Sequence, residues 1–146
     1  MSDFRRVSDN FCVSPQITES DVAEASTRGF AMVINNRPEG ESADQTPGQR
    51  VEQACRASGL AYLSIPISHS GFSAPQVAAM TDALRAADGP ILAYCRSGTR
   101  STFLWALAQA KLGQDLPKIA TDAARAGYDI SPIKPLMDIF AAQSLD

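Results

Sequence analysis

The chain has 146 residues, of which 45% are hydrophobic and 20% charged, a composition typical of one globular domain with a sizeable core. The formal net charge of −3 argues against general nucleic-acid binding. No apolar run reaches the ~18 residues of a membrane span, and the N-terminus lacks a signal-peptide core, so a cytoplasmic protein is expected. Three widely spaced cysteines and one histidine fit neither a disulfide framework nor a zinc site, so no metal or cofactor is expected.

Strands and helices are predicted to alternate along the chain. Residues 1–10 are polar and are expected to form a flexible N-terminus, followed by a single domain over residues 11–146. Apolar runs predict strands at residues 11–14, 30–35, 60–65 and 91–94. Capping residues, apolar periodicity and glycine stops predict helices at residues 18–28, 47–58, 74–87, 102–112, 115–126 and 131–144. This alternation indicates an α/β fold, with a mostly parallel central sheet of four to five strands and helices on both faces.

Three predicted loops follow the carboxyl ends of strands, where open parallel sheets bind their ligands. They cover residues 35–48, residues 66–72 and the residues directly after Cys95, and all three are expected to face one crevice. In the first loop, Asn36 and Arg37 are candidate substrate-binding residues. The alternative for Arg37 is a solvated loop arginine without a functional role.

The stretch from Ile91 to Leu112 predicts a buried strand, a tight loop and a buried helix, with Cys95 at the end of the strand. Backbone N–H groups of the loop and the positive end of the following helix form an anion-binding cradle. Together with Arg96 and Arg100, this environment favours the thiolate form of the cysteine. The guanidinium of Arg100 can bind two oxygens of a tetrahedral anion at once. The alternative is a cysteine that packs as a small hydrophobic residue.

The other members of the loop are small or carry hydroxyl groups. Gly98 permits a positive φ or a close approach of a ligand to the backbone. The residues expected to bind the anion beside Arg100 are Arg96, Ser97, Gly98 and Thr99. The expected partner is therefore a small anionic substrate, with no nucleic acid and no membrane, while the oligomeric state is not predicted.

Residues Cys95–Ser101 resemble the phosphate-binding loop of cysteine-dependent phosphatases. Over about residues 14–133, the chain resembles the phosphatase-like domain of the β-lactamase-hydrolase-like family, which is similar in fold to dual-specificity phosphatases. The motifs that carry this resemblance are Pro15–Ile17, Val33–Pro38, Tyr94–Ser101 and Ala126–Asp129. Relatives of this kind are often fused to a metallo-β-lactamase-type domain, and some are labelled sulfurtransferases. Whether this chain uses a separate partner of that type stays open.

Two departures from the ordinary phosphatase pattern matter for function. Four residues separate Cys95 from Arg100, where phosphatases have five, so the loop also resembles that of rhodanese-type sulfurtransferases. The loop at residues 66–72 holds no aspartate to act as the general acid, and Tyr94 stands where many phosphatases have histidine. However, no strand is predicted after Leu112, and this organisation matches phosphatases better than rhodanese domains.

The favoured function is hydrolysis of phosphate monoesters through a cysteinyl-phosphate intermediate. In this hypothesis Cys95 is the nucleophile, Arg100 and the loop amides hold the oxygens, and Ser101 donates a hydrogen bond to the thiolate. His69 is the candidate acid for the leaving group, because imidazole changes charge near neutral pH. A weaker candidate acid is Asp44, and the alternative for His69 is a loop histidine without chemistry.

Two other functions are compatible with the same residues. A rhodanese-like sulfurtransferase would carry a persulfide on Cys95, accepted from a sulfane sulfur donor such as thiosulfate. A catalytically weak module would bind an anionic partner without turnover, because the sequence contains no clear general acid. Loss of phosphatase activity on replacement of Cys95 would support hydrolysis, a stable gain of one sulfur atom on Cys95 would support sulfur transfer, and tight anion binding without turnover would support a binding module.

Overall fold

A five-stranded sheet forms the centre of the computed structural model, which describes residues 2–144. Its strands are β1 (Arg5–Ser8), β2 (Phe11–Ser14), β3 (Met32–Asn35), β4 (Ala61–Ser64) and β5 (Ile91–Tyr94). The helices are α1 (Glu19–Thr27), α2 (Gly48–Ala57), α3 (Ala74–Ala86), α4 (Thr99–Lys111), α5 (Leu116–Arg125) and α6 (Lys134–Ala142), and a short 3-10 turn over Ser131–Ile133 precedes α6. Every predicted strand and helix is present, with ends shifted by up to three residues.

The strand order is β1-β2-β5-β3-β4, and every pairing is parallel except that of β1 with β2. This confirms the predicted α/β fold with a mostly parallel sheet. Strand β5 lies in the middle, and its last residue, Tyr94, pairs with Ser14 on one side and with Asn35 on the other. The loop after β5 therefore begins between the ends of two neighbouring strands, at one edge of the sheet.

Helices cover both faces of the sheet, as the alternation predicts. On one face, α1 and α2 pack on apolar side chains of β3 and β5. On the other face, α3 to α6 form the larger core, in which α4 packs between α3 and α6. All the apolar side chains from Leu104 to Ala108 on α4 are buried, which confirms that this helix is largely enclosed. The helix that follows Cys95 is thus fixed by packing along most of its length.

The N-terminal segment differs from the prediction. Residues 1–10 were expected to be flexible, but Arg5–Ser8 form the edge strand β1, antiparallel to β2. Val7 is almost completely buried in the larger core. A strand could not be predicted here, because a single apolar residue does not form an alternating pattern. Met1, which belongs to that segment, and residues 145–146 of the predicted domain lie outside the described residues.

The segment after α4 bears on the choice between phosphatase and rhodanese organisation. Between residues 112 and 144, the structure has two helices and a 3-10 turn but no strand. This is the arrangement that the sequence predicted and that matches phosphatases. Within residues 2–144, none of the helices has the length and apolar character needed to cross a bilayer.

Candidate active site

The loop after β5 places the thiol of Cys95 at the base of the site. The side chain is fully buried, and the backbone N–H of Gly98 donates a hydrogen bond to its Sγ atom over 3.1 Å. Gly98 has φ +89°, a left-handed conformation that favours glycine, and helix α4 begins at the next residue. The buried sulfur thus accepts a backbone N–H bond beside a helix N-terminus, where partial positive charge is concentrated.

Arg100 joins the three loops that were expected to share one crevice. Its Nη1 and Nη2 atoms donate to the two carboxylate oxygens of Glu41, over 2.7 and 2.9 Å. Nη1 also donates to the backbone carbonyl of Ile67 over 2.7 Å. Because Glu41 lies in the loop after β3 and Ile67 in the loop after β4, one guanidinium connects both of these loops to the Cys95 loop. The hydrogen bond to Glu41 raises the pKa of Arg100.

Glu41 is a functional residue that the sequence analysis missed. Besides Arg100, its carboxylate accepts a 2.9 Å hydrogen bond from Nε of Arg37. The two guanidinium groups, Arg100 first, lower the pKa of Glu41 from 4.5 to about 2. Its signal in the sequence was weak, because one acidic residue in a long polar loop has no distinguishing pattern.

Arg37, a candidate substrate-binding residue, is bonded to protein groups in the structure. Its side chain is 3% exposed, and its other two nitrogens donate to Gln16 and to Ser42, over 2.9 and 3.1 Å. Each of the three guanidinium nitrogens therefore donates to a protein group, and Nε holds Glu41 in place. Sequence reasoning could place Arg37 near the strand ends, but not determine the direction of its side chain.

Asn36, the other candidate in this loop, is likewise bonded to protein groups. It has no exposed surface, and its side-chain amide donates to the carbonyl of Ile65 over 2.9 Å. Its backbone N–H donates to the carbonyl of Tyr94, and its carbonyl accepts from Ile67. These bonds continue the sheet beyond the strand ends, so Asn36 fixes the spacing of the loops beside Cys95.

The remaining loop residues divide between the rim and the interior. Arg96 and Ser97 are exposed, and the Arg96 side chain makes no hydrogen bond or ion pair with the described part of the chain. The Ser97 hydroxyl donates to the hydroxyl of Thr99 over 2.9 Å. Ser101 is fully buried, and within residues 2–144 its Oγ atom has no hydrogen-bond partner. The hydrogen bond that Ser101 was predicted to donate to the Cys95 sulfur is therefore not formed in the structure.

The two candidate acids lie on different loops, and both are exposed. His69 lies in the turn at Ser68–Ser70, two residues after the carbonyl that accepts from Arg100. Asp44 accepts a 2.6 Å hydrogen bond from the Ser42 hydroxyl, which holds the pKa of this carboxyl below its usual value of 3.8. Since a carboxyl of this kind is ionised at neutral pH, Asp44 is a poor proton donor, and the weaker of the two predicted acids is disfavoured.

Tyr128 is the second site residue without a predicted role, although Ala126–Asp129 is one of the motifs that carry the resemblance. The Tyr128 hydroxyl donates to the backbone carbonyl of Ser97 over 3.0 Å. Arg5, from the edge strand β1, donates to the same hydroxyl over 3.1 Å. The Cys95 loop is therefore contacted by an element from each end of the chain.

The assembled site is suited to a tetrahedral anion. It contains a thiol with a backbone N–H donor, the N-terminus of a 13-residue helix and an arginine that is held in one orientation. Among residues 2–144, no group of three or more His, Cys, Asp or Glu side chains has the arrangement of a metal site. The chemistry that these residues offer is nucleophilic attack by sulfur on a bound oxyanion.

Comparison with known proteins agrees with this geometry. Residues 3–112 match the family model of the phosphatase-like domain of β-lactamase hydrolase-like proteins. The β-lactamase hydrolase-like protein of Xylella fastidiosa (strain Temecula1) is 33% identical over 104 residues, which is 70% of this chain and 24% of the relative. The chain thus spans about a quarter of the length of this curated relative.

Solved structures show the same fold over nearly the whole chain. A Neisseria meningitidis protein described as a candidate phosphatase, nma1982, superimposes with a TM-score of 0.80 and 26% identity, covering 93% of this chain and 96% of that one. Human DUSP28 superimposes with a TM-score of 0.66 and 19% identity, covering 94% and 95%. The fold is therefore that of the dual-specificity phosphatases, and the chain belongs to the β-lactamase hydrolase-like family, as a phosphatase-like domain.

Proposed function

We propose that this chain hydrolyses phosphate monoesters with Cys95 as the nucleophile. The observation that carries the proposal is the arrangement of the Cys95 sulfur, which accepts the Gly98 N–H, beside an Arg100 guanidinium held by Glu41. The phosphatase-like family and the dual-specificity phosphatase fold support the same class of reaction. That the substrate is a phosphate monoester, and that Cys95 carries the phosphoryl group as an intermediate, are the parts that we propose beyond the family and the fold.

Glu41 binds one edge of the Arg100 guanidinium and leaves another edge available for a phosphoryl group. Glu41 occupies the edge formed by Nη1 and Nη2. Nε makes no hydrogen bond within residues 2–144, and Nη2 uses only one of its two hydrogens there, so two N–H groups remain on the adjacent edge, formed by Nε and Nη2. A planar fork of this kind binds two oxygens of a phosphoryl group, as a lysine cannot.

In the first step, the thiolate of Cys95 attacks phosphorus. A sulfur–phosphorus bond forms while the bond from phosphorus to the ester oxygen breaks, and the departing oxygen takes a proton from an acid. Arg100 and the loop N–H groups bind the non-bridging oxygens, on which negative charge is held in the transition state. His69 is the proposed acid, since Asp44 is ionised and is poorly suited to donate a proton.

In the second step, water attacks the cysteinyl-phosphate and releases inorganic phosphate and the thiolate. The buried, unpaired hydroxyl of Ser101 is proposed to donate a hydrogen bond to the departing sulfur, which makes it a better leaving group. The same hydroxyl would stabilise the thiolate before the next turnover.

Sulfur transfer is the second candidate function, and the loop length favours it. Only four residues separate Cys95 from Arg100, so the cradle is smaller than one with five. In that reaction the thiolate attacks the outer sulfur of thiosulfate, sulfite leaves with the electron pair of the broken sulfur–sulfur bond, and Cys95 keeps a persulfide. The third hypothesis, anion binding without turnover, uses the same site but involves neither phosphoryl nor sulfur transfer to Cys95.

Hydrolysis of a generic aryl phosphate by the wild type, Cys95→Ser and Cys12→Ser tests the proposal. Cys12 is half-buried on β2 and contributes nothing to the site, so it controls for the loss of a thiol. We expect turnover by the wild type and Cys12→Ser and none by Cys95→Ser. Activity retained by Cys95→Ser contradicts the covalent mechanism. No turnover by folded wild type, with a sulfur atom gained from thiosulfate, favours sulfur transfer instead.

A further inference from the structure

We propose that Tyr128 is a positioning residue, which orients the peptide between Ser97 and Gly98 so that its N–H points at the Cys95 sulfur. The observation is that this single peptide is held at both ends. Its carbonyl oxygen accepts from the Tyr128 hydroxyl over 3.0 Å, and its N–H donates to the Cys95 Sγ atom over 3.1 Å. The effect on turnover rests on the proposed phosphatase function, whereas the effect on the thiol does not.

The two contacts are linked by the geometry of the peptide group. A trans peptide is planar, and its C=O and N–H bonds point in opposite directions. A hydroxyl that fixes the carbonyl of Ser97 on one side of the loop therefore fixes the N–H of Gly98 toward the other side, where the sulfur lies. If the peptide rotated by half a turn, a carbonyl oxygen would face the thiolate, and an attraction would become a repulsion.

Within the loop itself, little restricts this peptide. Ser97 is exposed, and Gly98 has no Cβ atom to restrict its backbone. The side chain of Ser97 bonds only to Thr99 within the same loop. An anchor outside the loop is therefore needed to hold the carbonyl, and among the described residues Tyr128 is the side chain that donates to it.

The direction of the Tyr128 hydrogen bond follows from its second partner. Arg5 donates from Nη1 to the hydroxyl over 3.1 Å, and its guanidinium lies 5.4 Å from the centre of the ring. An arginine can only donate, so the single hydroxyl proton of Tyr128 is left for the carbonyl of Ser97. Asp3 pairs with Arg5 over 2.9 Å and steadies it in turn. The edge strand β1 is thereby linked to the nucleophile.

The packing around Gly98 shows how close the tyrosine lies. A Cβ atom added at Gly98 would sit 2.2 Å from the Tyr128 oxygen and 3.1 Å from its Cζ atom. At Gly29, which has nearly the same φ of +88°, an added Cβ would have no atom within 4 Å. Glycine at position 98 is therefore required by its contact with Tyr128 as well as by its backbone conformation.

Tyr128→Phe tests the proposal, because it removes the hydroxyl and keeps the ring in the core. Tyr62→Phe is the matched control: its hydroxyl accepts from Asn35 over 3.0 Å and does not touch the Cys95 loop. The first readout is the rate at which iodoacetamide alkylates Cys95, which needs no turnover. The second is kcat and KM for an aryl phosphate. Melting temperatures show whether each variant is folded.

We expect Tyr128→Phe to lower the alkylation rate and kcat by about ten-fold each, with KM within about two-fold of the wild type, because one N–H donor to the sulfur is lost. Arg5→Ala should have a smaller effect in the same direction, and Arg5→Lys should restore part of it. If Tyr128→Phe fails to fold, the two Arg5 variants carry the test.

The proposal is overturned if folded Tyr128→Phe, or Arg5→Ala in its place, matches Tyr62→Phe in alkylation and in kcat. A wild type that is alkylated rapidly but hydrolyses no phosphate ester would count against the proposed function alone. In that case the alkylation rates still decide the role of Tyr128.

Discussion

The two loops that flank Cys95 differ in how they are held. The loop at residues 36–47 is cross-linked by its own side chains. Gln45 accepts from the backbone N–H of Glu41 and donates to the carbonyl of Pro38, over 3.0 and 2.9 Å. Arg37 and Arg100 then both bind the Glu41 carboxylate. This loop therefore fixes the orientation of the Arg100 guanidinium, through a network of ion pairs and hydrogen bonds centred on Glu41.

The loop at residues 65–73 is held by fewer side-chain hydrogen bonds and has no ion pair of its own among the described residues. Gln76 donates to the carbonyl of Pro66 over 2.9 Å, and Arg100 donates to the next carbonyl along. From Ser68 to Ser70 the side chains are exposed and bond only to each other, apart from His69, which has no partner among the described residues. The first loop therefore holds the Arg100 guanidinium in one orientation, whereas the second loop leaves His69 free of protein partners among the described residues. Under the proposed function, the first loop sets the anion site and the second presents His69 to the leaving group.

Arg100→Lys is expected to have the largest effect of the variants that probe this difference. Lysine keeps the charge but not the planar fork, so it loses both the two-oxygen contact and the paired bonds to Glu41. We expect kcat/KM for an aryl phosphate to fall about 100-fold or more. Arg96→Lys, at an exposed position whose side chain has no partner within residues 2–144, should lose far less. Similar losses in the two variants would contradict a special role for the held guanidinium.

Glu41→Gln should have the next largest effect. The neutral amide holds two guanidinium groups less firmly, and Arg37 is left nearly buried without its counter-charge. We expect kcat/KM to fall about ten-fold and the free energy of unfolding to drop by about 1–3 kcal/mol. Glu52→Gln removes an exposed helix pair with Arg56 and should change both quantities little. If the two variants behave alike in urea denaturation and kinetics, the loop at residues 36–47 does not set the anion site.

The contribution of Glu41 should also have a distinct pH dependence. Its pKa is depressed from 4.5 to about 2, so the carboxylate stabilises the folded state fully above pH 4.5, and this stabilisation is lost as pH falls toward about 2. The difference in melting temperature between the wild type and Glu41→Gln should be constant from neutral pH to pH 4.5 and then shrink. A difference that is already gone above pH 4.5 would show that the carboxylate is not held by the two arginines.

His69→Ala should have the smallest effect on an aryl phosphate, because a good leaving group needs little protonation. With an alkyl phosphate, whose leaving oxygen is more basic, we expect a loss of about ten-fold or more. Ser70→Ala in the same turn serves as the control and should show no dependence on the leaving group. Equal activity of His69→Ala and the wild type on both esters would mean that the histidine is not the acid.

Sequence reasoning singled out the Cys95 loop because its signals are local. An apolar strand, a glycine, two arginines and an apolar helix lie within one stretch, and each has a direct physical meaning. Glu41 could not be found in this way, since it lies 59 residues from Arg100 and is one acid in a polar loop. Arg5 was missed for a related reason, because β1 has only one fully buried apolar residue, Val7.

Asn36 and Arg37 show how much depends on side-chain direction. Asn36 and Arg37 were placed beside the anion site, and the loop does lie there, but both side chains turn to protein partners. The backbone path follows from strand order, which alternation of elements predicts well. Hydrogen-bond partners depend on the packing of distant residues, and a sequence pattern does not determine that.

The most direct test of the central claim is the mass of the Cys95 peptide after rapid acid quench of the enzyme with an aryl phosphate, beside a parallel sample with thiosulfate. The account predicts a phosphoryl group on Cys95 in the wild type and in Cys12→Ser, and none in Cys95→Ser. A sulfur atom gained from thiosulfate, with no phosphoryl group from the ester and no turnover, would contradict the phosphatase account.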